Sequence, residues 1–457
     1  MARAKKEAAL TPEERLQAAL VPDWEWPYKL PENWCWVRLY SLAHIISKGT
    51  TPKGGKDAYV EKGIRFLRIE NINEDGSISH ENIKHITEEM HTGFLRRSIL
   101  CKDDILISIA GTLGKTGIVG EADLPLNTNQ AISFVRLIRG NLLPQYIKMS
   151  IDNPKTQDML ISQAKVTSIP NLTLEIIGNC AIPLAPLAEQ QRIVDRIESL
   201  FAKLDEAKEK AQAVVDSFET RKAAILHKAF TGELTAKWRE EHGVSIDNWK
   251  TTRFDSVAAI RSNLVDPAEY QSFPHIAPDN IEKKTGVLLE YHTIAEDGVT
   301  SGKHRFYSGQ ILYSKIRPYL SKAVVVDFDG LCSADMYPIE AYQNARCLWY
   351  YMLSDEFLLQ ASTAGSRSVL PKINQKELSA LTVHLPTNDR EQEEIARILD
   401  ELFDKEQQTK EAAEAVLEQI DLMKKSILAR AFRGELGTND PREESAVELL
   451  KEIIRRG

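Results

Sequence analysis

The chain has 457 residues, 43% hydrophobic and 27% charged, enough for two or three domains that each bury a core. Its formal net charge of −8 does not advertise a nucleic-acid binder, and no apolar run approaches the ~20 residues of a membrane span. The N-terminus MARAKKEAAL has no apolar signal core, and five cysteines without a CxxC pair predict free thiols in a reducing, cytoplasmic compartment.

Residues 1–33 form an N-terminal extension that opens with a charged helix. Thr11 can cap it, Pro12 suits the first helical position and Glu14 can reach back, before WEWPYKLPENW breaks the pattern. From Trp34 the text changes to β-rich runs (GIRFLRI, DILISIA, TGIVG, AISFVRLI) between Gly, Asn and Pro turns, with a helical segment near 144–163. This predicts a compact mixed domain over 34–185. The prolines of AIPLAPLAEQ stop the strand text, and a long helix is predicted over 186–236. A second mixed domain follows over 237–384, a second long helix over 385–437, and a tail helix over 438–457, within DPREESAVELLKEII.

The two long helices are copies. EQQRIVDRIESLF begins at Glu189 and EQEEIARILDELF at Glu391, and this offset of 202 still holds at AFTGEL and AFRGEL. The first carries heptad positions Ile193, Ile197, Leu200, Leu204, Ala207, Ala211, Val214, Phe218 and Ile225. The second carries Ile395, Leu399, Leu402, Ala413, Val416, Ile420, Met423 and Ile427, and the polar exceptions are Arg221, Glu406 and Thr409. Neither copy has Pro or Gly until Gly232 and Gly434, so each predicts one helix of about 40 residues, roughly 60 Å long.

The blocks repeat as well. Trp34, Arg38, Ser41 and Ala43 match Trp249, Arg253, Ser256 and Ala258; DILISIA matches QILYSKI, and KVTSIPNLT matches SRSVLPKIN. Between these anchors the blocks diverge, and HTGF (91–94) and GTLGKTG (111–117) have no visible partner. The first helix leads from block to block, so a second helix paired along it must run back, returning the C-terminus to the N-terminal block. The fold class is α+β: two mixed α/β domains separated by a pair of long antiparallel coiled-coil helices, a pseudo-twofold internal repeat.

Two domains at a set separation can measure. On duplex DNA, where a helical turn spans about 34–36 Å, they suit two half-sites around an unread gap, and unlike interiors suit an asymmetric target. The arrangement resembles the specificity subunit of type I restriction–modification systems across nearly the whole chain. PLAEQQRI, AFTGELTAKWR, EQEEI, AFRGEL, the loop KGTTPKGG (48–55) and GTLGKTG carry the likeness; the second block lacks a TPKGG-like loop. The resemblance implies a DNA-recognition subunit without catalysis of its own, with 34–185 and 237–384 as target recognition domains. It implies double-stranded DNA as ligand, two methyltransferase subunits docked on the helices, and two restriction subunits that translocate and cut. S-adenosylmethionine, ATP and Mg2+ would belong to those partners, with no cofactor in this chain. The alternative is a coiled-coil scaffold carrying two β-rich protein- or glycan-binding modules, and an ATP-using enzyme is a third reading.

GTLGKTG fails as a phosphate loop, because the required glycine position is Ile109. In PDNIEKK (278–284) the acids sit too close for a strand-separated Mg2+ set. No Asn/Asp-Pro-Pro-aromatic motif occurs and the histidines lack ligand spacing, so no catalytic or metal-binding residue is assigned. DNA contact uses polar and basic loop residues. The candidates are Lys53, Lys56, Arg65, Arg68, Asn71, Arg96, Arg97 and Lys115 in the first block. In the second they are Lys303, Arg305, Lys315, Arg317, Lys322, Arg367 and Lys372. Tyr313, Tyr319 and Trp349 are assigned to the core. Residues 31–180 hold 17 Lys+Arg against 16 Asp+Glu, and 246–380 hold 14 against 16, so these are local clusters and not a basic domain.

Overall fold

The computed structural model describes residues 11–52, 54–164, 170–364 and 371–456. It divides into two compact units, Met1–Glu209 with Leu417–Gly457, and Lys210–Val416, each holding one block and part of both long helices.

In the first unit the helix Pro12–Ala19 starts in the expected way, with Thr11 and Glu14 capping each other. The block opens on the strand Cys35–Arg38, which pairs antiparallel with its closing strand Ala181–Leu184. Between them an antiparallel sheet runs in the order Ala43–Lys48, Ile132–Leu137, Ile105–Ser108, Thr116–Ile118. A second sheet runs Lys84–Ile86, Ile64–Leu67, Leu126–Thr128, Ile99–Leu100, its two central strands parallel. The segment expected to be helical forms Pro144–Asp152 and Pro154–Ala164.

The core of this unit joins Ile105, Val135 and Tyr146 of the block to Ile193 and Ile197 of the first helix and Ala431 and Phe432 of the second. The tail helix Ala446–Arg456 places Ala446, Leu450 and Ile453 in the same core. Arg192 holds Glu443 through two bonds of 2.8 Å, and Ala446 N–H donates to Asn33 O at 2.9 Å. The C-terminus therefore lies against the N-terminal block, as an antiparallel return requires. The tail helix begins later than expected. The Asp440 carboxylate accepts from the Arg442 backbone at 3.1 Å, a local turn that competes with helix.

The second unit repeats the plan. Trp249–Arg253 pairs with Thr382–Pro386. One sheet runs Ala258–Ile260, Met336–Ala341, Ile311–Ser314, Ala323–Val325. The other runs His292–Thr293, Pro274–Ile276, Gly330–Cys332, Lys303–Phe306, with Leu264–Val265 added at the edge and Pro274–Ile276 parallel to Gly330–Cys332. Strand order and the position of the parallel pair are thus the same in both blocks, although their interior sequences are not. The core here takes Leu226, Ala229 and Phe230 with Ile395 and Leu399.

The long helices pair antiparallel within each unit. In the first, Asp205 meets Lys424 and Lys208 meets Asp421 at 3.4 Å. In the second, Lys410 lies 4.9 Å over the Phe218 ring and Arg221 meets Glu406 at 2.7 Å. Two of the three polar seam exceptions, Arg221 and Glu406, are therefore each other's partners. Gly232 and Gly434 end the helices at φ 80° and 74°, a conformation that disfavours any side chain.

Two further expectations change. The first helix is two segments, Leu187–Asp216 and Phe218–Phe230, which meet at Ser217, whose hydroxyl donates to Ala213 O at 2.6 Å. The second is unbroken from Asp389 to Ala431. One of its heptad lines also turns outward: Thr409 is exposed, as are Val416 (44%) and Met423 (50%). The other line, Leu399, Glu406, Ala413, Ile420 and Ile427, stays buried or half-buried throughout. Lys410, Leu417 and Lys424 are half-buried in place of the outward line.

Candidate nucleic-acid interface

Each block is fastened to the long helix that follows it by the same Glu-Gln pair. Trp34 Nε1 donates to Glu189 at 2.9 Å, and Trp249 Nε1 donates to Glu391 at 3.0 Å. Gln190 accepts from Leu143 N–H and donates to Ala185 O. Gln392 accepts from Asn344 N–H and donates to Pro386 O. All four side chains are buried. Glu391 also takes Arg239 at 2.7 Å. Among the described residues Glu189 makes no such guanidinium pair, and burial raises its carboxyl above the usual range in spite of its bonds to Trp34 and Thr438 and the nearby Arg192.

Above this base each block presents a hairpin and a turn. Ser108 N–H donates to Lys115 O at 2.8 Å, and Ser314 N–H donates to Lys322 O at 3.0 Å. The registers Ile107↔Thr116 and Tyr313↔Ala323 make Lys115 and Lys322 counterparts. GTLGKTG therefore does have a partner, the segment Arg317–Val324, which strand pairing identifies and sequence does not. The Lys115 ammonium lies 3.1 Å from Glu74. That of Lys322 donates to Pro278 O at 2.6 Å and lies 3.7 Å from Asp279.

The turn is duplicated too. Asn71 Oδ1 accepts from Arg68 N–H and its Nδ2 donates to Glu81 O. Asn280 Oδ1 accepts from Ala277 N–H and its Nδ2 donates to Glu290 O. Each asparagine closes the loop that follows it, 72–81 or 281–290. The PDN of PDNIEKK is thus the second copy of the turn at Arg68–Asn71. Sequence reasoning missed Asn280, Ser108 and Ser314; the shared Asn-Ile pairs at 71–72 and 280–281 were the available signal.

The first-block candidates do not form one patch. Lys53 and the Lys56 side chain lie outside the described residues. Asn71 is spent on backbone. Arg65 donates to Ala122 O and Asp123 O at 3.0 Å, and Arg68 pairs with Glu70 at 2.7 Å. Arg96 and Arg97 are exposed on a separate turn, Arg96–Ser98. In the loop KGTTPKGG, Gly49 permits close strand approach: a Cβ there would lie 2.0 Å from Asn129 O.

The second-block candidates gather more closely. Ile373 N–H donates to Lys315 O and Arg317 N–H to Pro371 O, which ties the segments of Lys315, Arg317 and Lys372 together, with Lys315 and Lys372 on either side of Asp335. Arg317 is exposed, and so is Tyr319 (47%), contrary to the core assignment; Tyr313 and Trp349 are buried. Lys303 is buried on Ser301, and burial lowers its pKa. Arg305 lies over the rings of Tyr270, Phe273 and Tyr307, 4.9 to 5.9 Å from their centroids. Arg367 lies outside the described residues.

The family profile for the type I restriction modification DNA specificity domain matches residues 31–215 and 246–419. The chain belongs to this family. Each match covers one block and much of the long helix after it, the unit seen twice in the fold. The type I restriction enzyme EcoDI specificity subunit of Escherichia coli is 40% identical over 316 residues, 63% of this chain and 71% of that protein. The EcoKI specificity subunit of Escherichia coli strain K12 is 23% identical over 471 residues, covering 93% and 96%. Among solved structures, the HsdS subunit from Thermoanaerobacter tengcongensis matches with a TM-score of 0.58 and 19% identity, over 90% of this chain and all of that one. A chain solved for complex assembly and conformational transition of the type I R-M system reaches 0.67, also at 19% identity and 90% coverage. These two likenesses establish the fold. As a member of the family the chain is a DNA-specificity subunit and not a catalytic one, and the scaffold alternative finds no support. No helix among the described residues is long and apolar enough to cross a membrane.

Proposed function

We propose that the chain reads an asymmetric, bipartite duplex target in the cytoplasm, with 34–185 reading one half-site and 237–384 the other. The helices at 186–236 and 385–437 set the gap and dock two methyltransferase subunits, which carry S-adenosylmethionine. Two restriction subunits supply ATP- and Mg2+-dependent translocation and cutting. Within the extension 1–33 and the tail 438–457, the described residues 11–33 and 438–456 brace the base of the first block. The observation that carries this reading is the duplicated frame with unlike loops: INEDGSISHE at 72–81 and IEKKTGVLLE at 281–290 occupy matching positions. Phosphate contacts come first from the exposed Arg96, Arg97, Arg317 and Lys372, and base reading from the loops beside Lys115 and Lys322.

Exchange of 34–185 for the matching block of another family member tests the reading. One half-site should change while the other persists, and loss of both would refute modular recognition. Affinity should fall steeply with salt, because neutralised phosphates release counterions.

A further inference from the structure

Lys222 is a buried lysine on the first long helix; among the described residues its ammonium makes no ion pair, although Glu219 and Glu282 lie near enough to attract it. It donates to Lys284 O at 2.8 Å and Thr285 O at 3.2 Å, with the Phe403 ring at 5.5 Å. The backbone it holds is unusual. Lys284 sits at φ 64°, and its N–H lies 3.1 Å from Leu320 O and 3.3 Å from Ser321 O. Those carbonyls belong to the turn Arg317–Ser321, whose two ends are also left-handed, at φ 48° and 45°. Three non-glycine residues in this conformation in one contact network store strain that their surroundings must hold in place.

The repeat supplies an internal control. Lys424 and Phe201 are the counterparts of Lys222 and Phe403, and Lys424 also lies over its ring, at 5.0 Å. Lys424, however, pairs with Asp205 on the neighbouring helix. The counterpart of Asp205 is Gln407, so no acid awaits Lys222 at that position. Burial pushes Lys222 down to about 8, a desolvation cost that an apolar side chain of similar length would avoid.

We infer that Lys222 is a positioning residue, tying the Arg317–Ser321 turn of the second recognition block to the spacer helix. The inference rests on the DNA-reading function proposed above. Lys222 fixes where Arg317 and Tyr319 are presented relative to the helix, and so sharpens the gap length accepted by the second half-site.

The test uses the full chain assembled with its methyltransferase subunits and a duplex pool randomised at both half-sites, with gaps of several lengths. Lys222→Met removes both of its bonds to backbone and should lower affinity for the second half-site by about tenfold, because the released turn must then be ordered on binding. It should also admit gaps one base pair longer or shorter, leave the first half-site unchanged, and speed amide exchange at Lys284. Lys424→Met should change none of these. Unaltered gap selectivity with unaltered Lys284 exchange in Lys222→Met would overturn the inference, as would equal loss at both half-sites. Should Lys222→Met fold poorly, Lys222→Arg keeps the charge and should retain the narrow gap preference. A wild-type complex that enriches no sequence would refute the DNA reading itself, a result separable from the others.

Discussion

Trp249 gives its indole N–H to Glu391 at 3.0 Å, at the point where the second block meets the helix that follows it. The same carboxylate takes Thr235 at 2.8 Å and Arg239 at 2.7 Å, so one buried acid joins the opening strand, the short helix Ala236–His242 with its N-cap residue Thr235, and the start of the second long helix. Replacing Glu391 by Ala leaves Arg239 buried and unpaired, and stability should fall by about 3–5 kcal/mol. Trp249→Phe removes a single bond to a charged group and should cost about 1.5–3 kcal/mol. Denaturant titration of the two variants checks the order.

Glu189 predicts a pH effect of the opposite sign to a surface ion pair. Its folded pKa is raised, chiefly by burial, so the folded state binds this proton more tightly than the unfolded chain does. Stability should therefore gain from Glu189 as pH falls from above its raised pKa towards the ordinary glutamate value. Glu189→Gln lacks that gain, so the difference between wild type and variant should shift towards wild type on acidification. Melting both at neutral and mildly acidic pH measures this.

The tail separates packing from charge. Phe432 is fully buried against Tyr146, their rings 5.3 Å apart, and Phe432→Ala should cost about 3–5 kcal/mol. Arg192 and Glu443 are partly exposed, and Arg192→Ala should cost about 0–1 kcal/mol despite its two short bonds. Comparable losses in urea melts would contradict this ranking.

Gly49→Ala should disrupt the first block alone. The added methyl meets backbone carbonyls of Thr128 and Asn129, which cannot swing aside as a side chain could. Amide exchange should rise around the Ala43–Lys48 strand while the second unit keeps its protection.

Four residues added at matching points of both long helices lengthen each by about 6 Å. The preferred gap should grow by about one or two base pairs, at roughly 3.4 Å per step. An unchanged gap would remove the helices from the measuring role.

The repeat and the helix ends were legible in the sequence because both depend on local order. A constant offset, a heptad and a terminal glycine are read along the chain, and Thr11 with Glu14 needs only three residues to form its cap. GTLGKTG and PDNIEKK were not legible in this way. Their counterparts are set by strand register across unlike sequences, and Lys115 and Lys322 match only because Ile107 pairs with Thr116 and Tyr313 with Ala323. Tyr319 was misassigned for a related reason, since a left-handed turn lifts it out of the core side of the hairpin.

By itself the sequence determined the duplicated architecture and the family, since periodicity and the Glu-Gln and Gly-Glu-Leu signatures survive in both copies. Only the tertiary structure decided what the polar side chains are for. Glu391 and Glu189 occupy the same repeat position, yet Glu391 holds the Arg239 guanidinium while Glu189 accepts from Trp34 and the Thr438 hydroxyl. Lys222 and Lys424 are likewise equivalent in sequence, but one ends on backbone carbonyls and the other on a carboxylate. A buried charge is defined by the partners that replace its water, and those partners come from chain segments far away in sequence.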